Sequence, residues 1–172
     1  MFKKIGMIVL VSTLAAGCAS IPLESAQTTK VAKQFDPPSD GKAGLYIYRN
    51  TVFGGSAYID VWVDGRCIGA TAPYVFFYEE VEGGQTHIVS SKFSWDEAPN
   101  DLLIKAKSGM HYFFHQYINF GSTGVELVDE EQGKEEVSKL DMATKGNKCG
   151  LPPKPLCDDC LYNIQSILRN VL

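Results

Sequence analysis

Short runs rich in aromatic and β-branched residues follow one another through the middle of the chain, and each ends at a turn signal. These signals include Asp64-Gly65, Gly83-Gly84 and Ser108-Gly109, which accept the positive φ values of tight turns. Short strands at regular spacing predict an all-β domain, a single antiparallel β-sandwich. The predicted strands cover residues 45–49, 58–63, 74–81, 87–93, 102–107, 110–120 and 125–128.

Helices are expected only near the C-terminus, where one or two short ones are predicted. Residues 129–140 favour the first, with acids in its first turn, although Gly133 costs about 1 kcal/mol relative to Ala. The second is an amphipathic helix in the tail, because apolar residues recur there at helical spacing. These apolar residues are Leu161, Ile164, Ile167, Leu168 and Val171.

The N-terminus has the layout of a secretory signal. Lys3 and Lys4 are followed by an uncharged apolar stretch over residues 5–16 and then by Gly17-Cys18. A bilayer core needs roughly 20 apolar residues in a helix, so this stretch is too short for a permanent anchor. Residues 1–17 are therefore predicted to be a cleaved signal peptide.

Leu14-Ala15-Ala16-Gly17-Cys18 resembles a lipobox, the recognition sequence of bacterial lipoproteins. The resemblance implies cleavage before Cys18 and its acylation with fatty chains such as palmitate. Ala19 and Ser20 follow instead of Asp, which by the Gram-negative sorting rule implies the outer membrane, facing the periplasm. The alternative is an ordinary secreted protein in which Cys18 is only a disulfide partner.

Charge argues against a nucleic acid partner. The formal net charge is −4 at pH 7, and removal of Lys3 and Lys4 with the leader makes the mature chain more acidic. Nucleic acid binding draws most of its affinity from Lys and Arg near phosphates, and the chain has no such cluster.

Composition divides the mature chain into three parts. Residues 18–40 are small and polar without strand or helix periodicity, which predicts a lipidated N-terminus and a flexible tether. Residues 41–142 form the predicted sandwich domain. Residues 143–172 contain Pro152-Pro153-Lys154-Pro155 and three cysteines, which predicts a Cys/Pro-rich linker before the tail helix.

Several segments resemble an uncharacterised family of small Gram-negative lipoproteins, the domain of unknown function 2846. They are GKAGLYIYR (41–49), DVWVDGRCIG (60–69), PYVFFY (73–78), PNDL (99–102) and YFFHQYI (112–118). The similarity spans about residues 38–142, and residues 63–89 also resemble the short repeats called PEGA domains. These resemblances imply a transthyretin-like or immunoglobulin-like sandwich and bring no established activity.

Four cysteines remain once Cys18 carries lipid. An even number in an exported domain predicts two disulfides, with three possible pairings among Cys67, Cys149, Cys157 and Cys160. We predict Cys67 with Cys149 and Cys157 with Cys160, because a bridge from Cys67 to the tail closes a long loop, worth roughly 4 kcal/mol or more in the chain-entropy model.

The cysteines also allow two other interpretations. Cys157-Asp158-Asp159-Cys160 has the spacing of a thiol oxidoreductase, but the two adjacent acids disfavour a thiolate, and no βαβ pattern precedes it. The spacing of the four cysteines also allows zinc, but this interpretation is disfavoured because the thiols of an exported protein become oxidised. Structural disulfides are the favoured interpretation.

No catalytic or metal site is expected, and no cofactor. His111 and His115 lie four residues apart on one strand, about 13 Å, too far for one metal ion to bridge. Asp60 and Asp64 are separated by about the same distance, beyond the roughly 9.5 Å limit for paired glycosidase carboxylates. Nucleophile and zinc-protease motifs are absent from the sequence.

An aromatic surface on neighbouring strands is a candidate binding face for an envelope protein or a glycan. The alternative is that these rings form a second part of the core or are covered by the tail helix. The candidate residues are Tyr46, Tyr48, Trp62, Phe113, His115 and Tyr117.

Taken together, the sequence predicts a lipid-anchored envelope lipoprotein that acts as a non-enzymatic binding or structural accessory module. Its expected partners are membrane lipid, through acylated Cys18, and an envelope protein or glycan. A periplasmic thiol oxidoreductase using Cys157 and Cys160, or an enzyme of unrecognised type, is the alternative.

Overall fold

The computed structural model describes residues 20–93, 100–119, 122–146 and 149–150. Its helices are α1 (Ala26–Ala32) and α2 (Glu130–Ser138). Its strands are β1 (Lys42–Arg49), β2 (Ile59–Val63), β3 (Arg66–Thr71), β4 (Val75–Glu82), β5 (Thr86–Phe93), β6 (Asn100–Lys105), β7 (His111–Asn119), β8 (Ser122–Val128) and β9 (Asp141–Met142).

The strands form two packed sheets, which confirms the predicted β-sandwich. The first sheet has the order β8-β7-β1-β4-β9 and the second the order β3-β2-β5-β6. Most pairings are antiparallel, as predicted, but β1 with β7 and β4 with β9 are parallel. A parallel pair needs a long crossover, and here the whole second sheet lies between β1 and β7 in the chain.

Tight turns lie where the sequence places them. Asp64 (φ 52°) and Gly65 (φ 72°) both have positive φ and join β2 to β3 in antiparallel register. Gly84 (φ 82°) and Gly109 (φ 78°) also have positive φ, in the connections that follow β4 and β6 and lead from one sheet to the other. We call this end of the sandwich, residues 64–65, 83–85 and 106–110, the turn end.

The main core lies between the two sheets. Every second residue of β1 faces it, and so do alternating residues of the other strands, as strand geometry requires. The buried members include Leu45, Ile47, Val61, Phe77, Val89, Ile104 and Phe114.

A second apolar cluster covers the outer face of the first sheet. Tyr46, Tyr48, Phe76 and Phe113 point away from the main core and are buried beneath α2 and the segment around α1. Gly133 of α2 allows this, because a Cβ there would lie 2.2 Å from the Phe113 ring. The glycine that weakens α2 is therefore required by its close approach to the sheet.

The prediction of a flexible tether over residues 18–40 is wrong for residues 20–40, which are held against the sandwich. Ser25 caps α1 by accepting a hydrogen bond from the amide of Thr28, and α1 lies beside the outer aromatic cluster. Leu23 forms a β-bridge with Ala143. Packing against the sandwich orders a segment whose own helix propensity is low.

Several predicted elements lie outside the described residues. These are the signal peptide, Cys18 and the tail helix with Cys157 and Cys160. In the part of the chain that is described, no helix is long and apolar enough to cross a bilayer.

Candidate functional site

The loop between β1 and β2, residues 50–58, is held by one buried side chain. Arg49 is fully buried, and its guanidinium donates to the carbonyls of Phe53 (3.0 Å), Gly54 (2.9 Å) and Ala57 (3.0 Å). Burial lowers the pKa of Arg49 to about 10, which leaves it charged at neutral pH. A planar guanidinium can serve several carbonyls at once, so a single residue fixes the loop.

This loop and the neighbouring connection, residues 72–74, present apolar side chains to solvent. Val52 is 56% exposed, Phe53 46% and Tyr74 52%. The two loops meet where Gly55 lies close to both Val52 and Pro73. We call Val52, Phe53 and Tyr74 the loop-end patch, and residues 50–58 with 72–74 the loop end.

Tyr74 adopts a backbone conformation that bulky residues rarely use. Its φ is +61°, in the left-handed region. A side chain with a Cβ pays roughly 1–2 kcal/mol there relative to glycine. The strained backbone places an aromatic ring at the tip of its connection, next to the apolar loop.

A buried polar network connects the two sheets inside the sandwich. Gln116 of β7 donates from Nε2 to Ser91 Oγ of β5 (2.8 Å) and accepts from Thr71 of β3. Thr123 of β8 donates to the carbonyl of Tyr117 (2.8 Å). These groups satisfy one another's hydrogen bonds, as buried polar groups require, and fix the position of one sheet relative to the other.

His115 lies in a second polar chain on the outside of the first sheet. Its Nδ1 is 2.8 Å from Glu126 Oε1 and its Nε2 is 3.0 Å from Asn50 Oδ1. Asn50 in turn donates to Glu136 of α2 (3.1 Å). Both ring nitrogens face oxygen atoms, and through these contacts His115 ties the loop to β8 and, by way of Asn50, to α2.

The predicted aromatic binding face is wrong. Tyr46 (2%), Tyr48 (0%) and Phe113 (0%) are almost inaccessible beneath the helical layer. Trp62 lies on β2 in the other sheet and is itself buried. Only two candidates, His115 and Tyr117, are partly exposed, so the alternative of a second core is the correct one.

A disulfide closes the open edge between β3 and β4. Cys67 pairs with Cys149 across a sequence separation of 82 residues, with the Cα atoms 6.2 Å apart. The amides of Gly146 and Gly150 donate to the carbonyl of Ile68 (2.7 Å) and to Asp60 Oδ2 (2.8 Å). This pairing agrees with the loop-entropy argument and removes two thiols from the possible zinc site.

Glu79 forms ion pairs that hold the same edge together. It accepts from Arg66 of β3 and from Lys145 (2.8 Å), so it joins both sheets and the segment leading to the disulfide. Burial alone would raise the pKa of Glu79, but the hydrogen bonds and charges of Lys145 and Arg66 outweigh it and lower that pKa. Glu79 therefore makes these contacts in its ionised form.

Asp60 and Asp64, whose spacing argues against a catalytic carboxylate pair, lie in different parts of the sandwich. Asp64 is part of the turn end, where it accepts from the amide of Ile88 (2.9 Å) and contacts His87. Asp60 is buried at the disulfide edge. Across the residues described, no group of three His, Cys, Asp or Glu side chains is arranged to hold a metal ion.

Sequence reasoning missed Arg49, although a signal was available. Strand alternation puts Ala43, Leu45 and Ile47 on the buried face, and the next position on that face is Arg49. A charged residue at an inward position needs internal partners, and the polar loop that follows supplies carbonyls. The loop-end patch itself leaves no comparable periodic signal.

The family match covers most of the sandwich. A family model described as "Protein of unknown function (DUF2846)" matches residues 39–129. An uncharacterized protein of Haemophilus influenzae is 40% identical over 140 residues, covering 79% of this chain and 82% of that protein. The matched family segment includes Arg49, the loop end and Cys67, but it ends before Cys149.

Proposed function

This chain belongs to the DUF2846 family of proteins of unknown function, and from that premise we propose that it is a lipid-anchored lipoprotein of the cell envelope, acting as a non-enzymatic binding or structural module. The observation that carries the proposal is the disulfide between Cys67 and Cys149. Disulfides persist in oxidising compartments and are rare in the cytosol. Together with the signal layout before Cys18, the disulfide supports export.

The docked N-terminal segment supports attachment close to the membrane. The amide of Glu24 donates to the carbonyl of Met142 (2.8 Å), and that of Thr144 donates to the carbonyl of Pro22 (3.0 Å). Tyr58 donates to the carbonyl of Ser20 (3.2 Å). A lipid on Cys18 would thus hold the sandwich itself, with little free chain between them.

The polar side chains of the domain support a structural or binding role. Arg49 holds a loop, Gln116 joins the sheets, Glu79 closes an edge and His115 ties α2 to the loop. Their hydrogen bonds are made within the protein, and the large side chains exposed at the loop end are Val52, Phe53 and Tyr74. The alternative of a thiol oxidoreductase depends on Cys157 and Cys160, which lie outside the described residues.

The anchor is tested by the mass and the location of the mature protein. We expect the full chain, expressed in a Gram-negative host, to begin at acylated Cys18 and to fractionate with membranes, because several acyl chains anchor stably. Cys18→Ser should lose the acyl mass and leave the membrane or retain its leader. Cys67→Ser is the matched control, which should keep the acyl mass.

Two results would contradict the proposal. One is an N-terminal peptide without acyl mass from a protein that still fractionates with membranes. The other is a free thiol at both Cys67 and Cys149 in protein alkylated before cell lysis, because an exported domain should carry the bridge.

A further inference from the structure

We propose that the loop end faces the bilayer and that Val52, Phe53 and Tyr74 enter the boundary between lipid headgroups and acyl chains. This inference rests on the proposed lipid anchor and adds to it an orientation and a membrane-contacting surface. The occupant of the patch is phospholipid, because the predicted lipid anchor lies close to the loop end in the sequence and in space.

Ser20, which follows the predicted lipidation site by two residues, lies beside the loop end. Ser20 accepts a hydrogen bond from Tyr58, the last residue of the loop that carries Val52 and Phe53. Cys18 precedes Ser20 by two residues, a stretch that spans at most about 7 Å. Acyl chains on Cys18 would therefore enter the bilayer near the loop-end patch.

The following segment gives the domain little freedom to move away. Leu23 forms a β-bridge with Ala143, and the neighbouring Pro22 and Glu24 are bonded to the same strand region. Without a long tether, the effective concentration of lipid at the patch is high, because membrane contact becomes an intramolecular event. A protein partner would have to bind from solution.

The patch has the chemistry of a membrane interface. Phe53 and Val52 are apolar, and Tyr74 combines an apolar ring with a polar hydroxyl, which suits the headgroup level. Arg49 fixes the loop in advance through three carbonyls, so little conformational entropy is lost on insertion. Partial insertion of such side chains supplements a lipid anchor, as amphipathic surfaces do.

Photocrosslinking with a benzophenone amino acid tests the orientation. It replaces Phe53, which is 46% exposed, or Met110, which is 45% exposed and lies at the turn end. The full chain is expressed in cells, irradiated in intact membranes and analysed by mass spectrometry. We expect phospholipid adducts several-fold more abundant from position 53 than from position 110.

The same experiment separates failure of the proposed orientation from failure of the lipid anchor. Protein adducts dominating at position 53, or equal lipid adducts at both positions, would overturn the inference. The N-terminal peptide of the same sample reports acylation of Cys18, so a missing acyl mass refutes the anchor and an intact one with no lipid adduct refutes only the orientation. An intact Cys67–Cys149 bridge shows that each variant has folded.

Discussion

The two ends of the sandwich close their strands by different physical means. At the turn end, short connections rest on positive φ at Gly65 (72°), Gly84 (82°) and Gly109 (78°). At the loop end, the connection of residues 50–58 rests on a buried cation, Arg49, and its three carbonyl partners. One end is closed mainly by backbone turns and the other by a buried charged side chain.

The ends also differ in what they expose. At and beside the turn end, polar contacts lie at the surface: Lys42 forms an ion pair with Glu82, and Asp64 is hydrogen-bonded to His87. The loop end exposes the apolar patch of Val52, Phe53 and Tyr74. The turn end also has a buried polar side chain, His87, but it contacts one carboxylate and one carbonyl, whereas Arg49 holds three carbonyls of the apolar loop.

Removing the disulfide next to the turn end should have the largest effect on stability. The chain-entropy model gives a loss of about 4.5 kcal/mol for Cys67→Ser, because the bridge closes a loop with a sequence separation of 82 residues. Urea unfolding of the purified mature domain measures this loss. Cys149→Ser should cost the same, and the double variant should cost no more than either one, since all three remove one bond. Losses that add would contradict a shared bridge.

Replacing Arg49 should have the next largest effect and should act on the loop end. Arg49→Met leaves three carbonyls without their charged donor, which we expect to cost about 2–4 kcal/mol. Hydrogen exchange should rise across residues 50–58 before it rises at the turn end. Arg66→Met is the control, because the Arg66 side chain is 60% exposed and its partner Glu79 keeps Lys145, so we expect a loss of about 1 kcal/mol or less. Equal losses in the two variants would show that the loop does not depend on Arg49.

The local signals in the sequence predicted the strands well. Alternation and turn residues predicted most strand positions, and Asp64-Gly65 predicted the β2–β3 hairpin. Strands and tight turns can be predicted in this way because each depends on neighbouring residues alone. The parallel pairing of β1 with β7 depends on a contact between distant segments and has no local signal. Helix α1 was missed because packing stabilises it, although Ser25 as an N-cap residue was readable.

The candidate site was harder to predict for a physical reason. Alternation correctly put Tyr46, Tyr48 and Phe113 on the outer face of their sheet, but it does not show whether a second layer covers that face. Covering elements, α2 and the segment around α1, come from outside the strands. A bridge from Cys67 to the tail could be predicted because loop entropy depends only on sequence separation, but that argument does not choose Cys149 over Cys157 or Cys160.

Two residues with positive φ, one at each end, should respond oppositely to glycine. Tyr74 (φ 61°) has a largely exposed side chain, so Tyr74→Gly relieves strain and should be neutral or stabilising by up to about 1 kcal/mol. Asp64 (φ 52°) accepts from Ile88 and contacts His87, so Asp64→Gly should cost about 1 kcal/mol despite the relief. Thermal unfolding of both variants decides the sign. A loss in Tyr74→Gly would show that its ring stabilises the fold.

The smallest effect is expected from His111, at the edge of the turn end, and it depends on pH. Burial and the nearby charge of Lys134 lower the pKa of His111, and Glu130 and Glu80 oppose this only partly. The unfolded chain therefore takes up a proton near the ordinary histidine pKa of about 6.5 while the folded protein resists it, so stability should fall as pH drops from about 7 to 5. His111→Gln should flatten that decline in urea unfolding; His87 and His115 remain, so the difference isolates His111. Identical pH dependence in both proteins would place the acid sensitivity elsewhere.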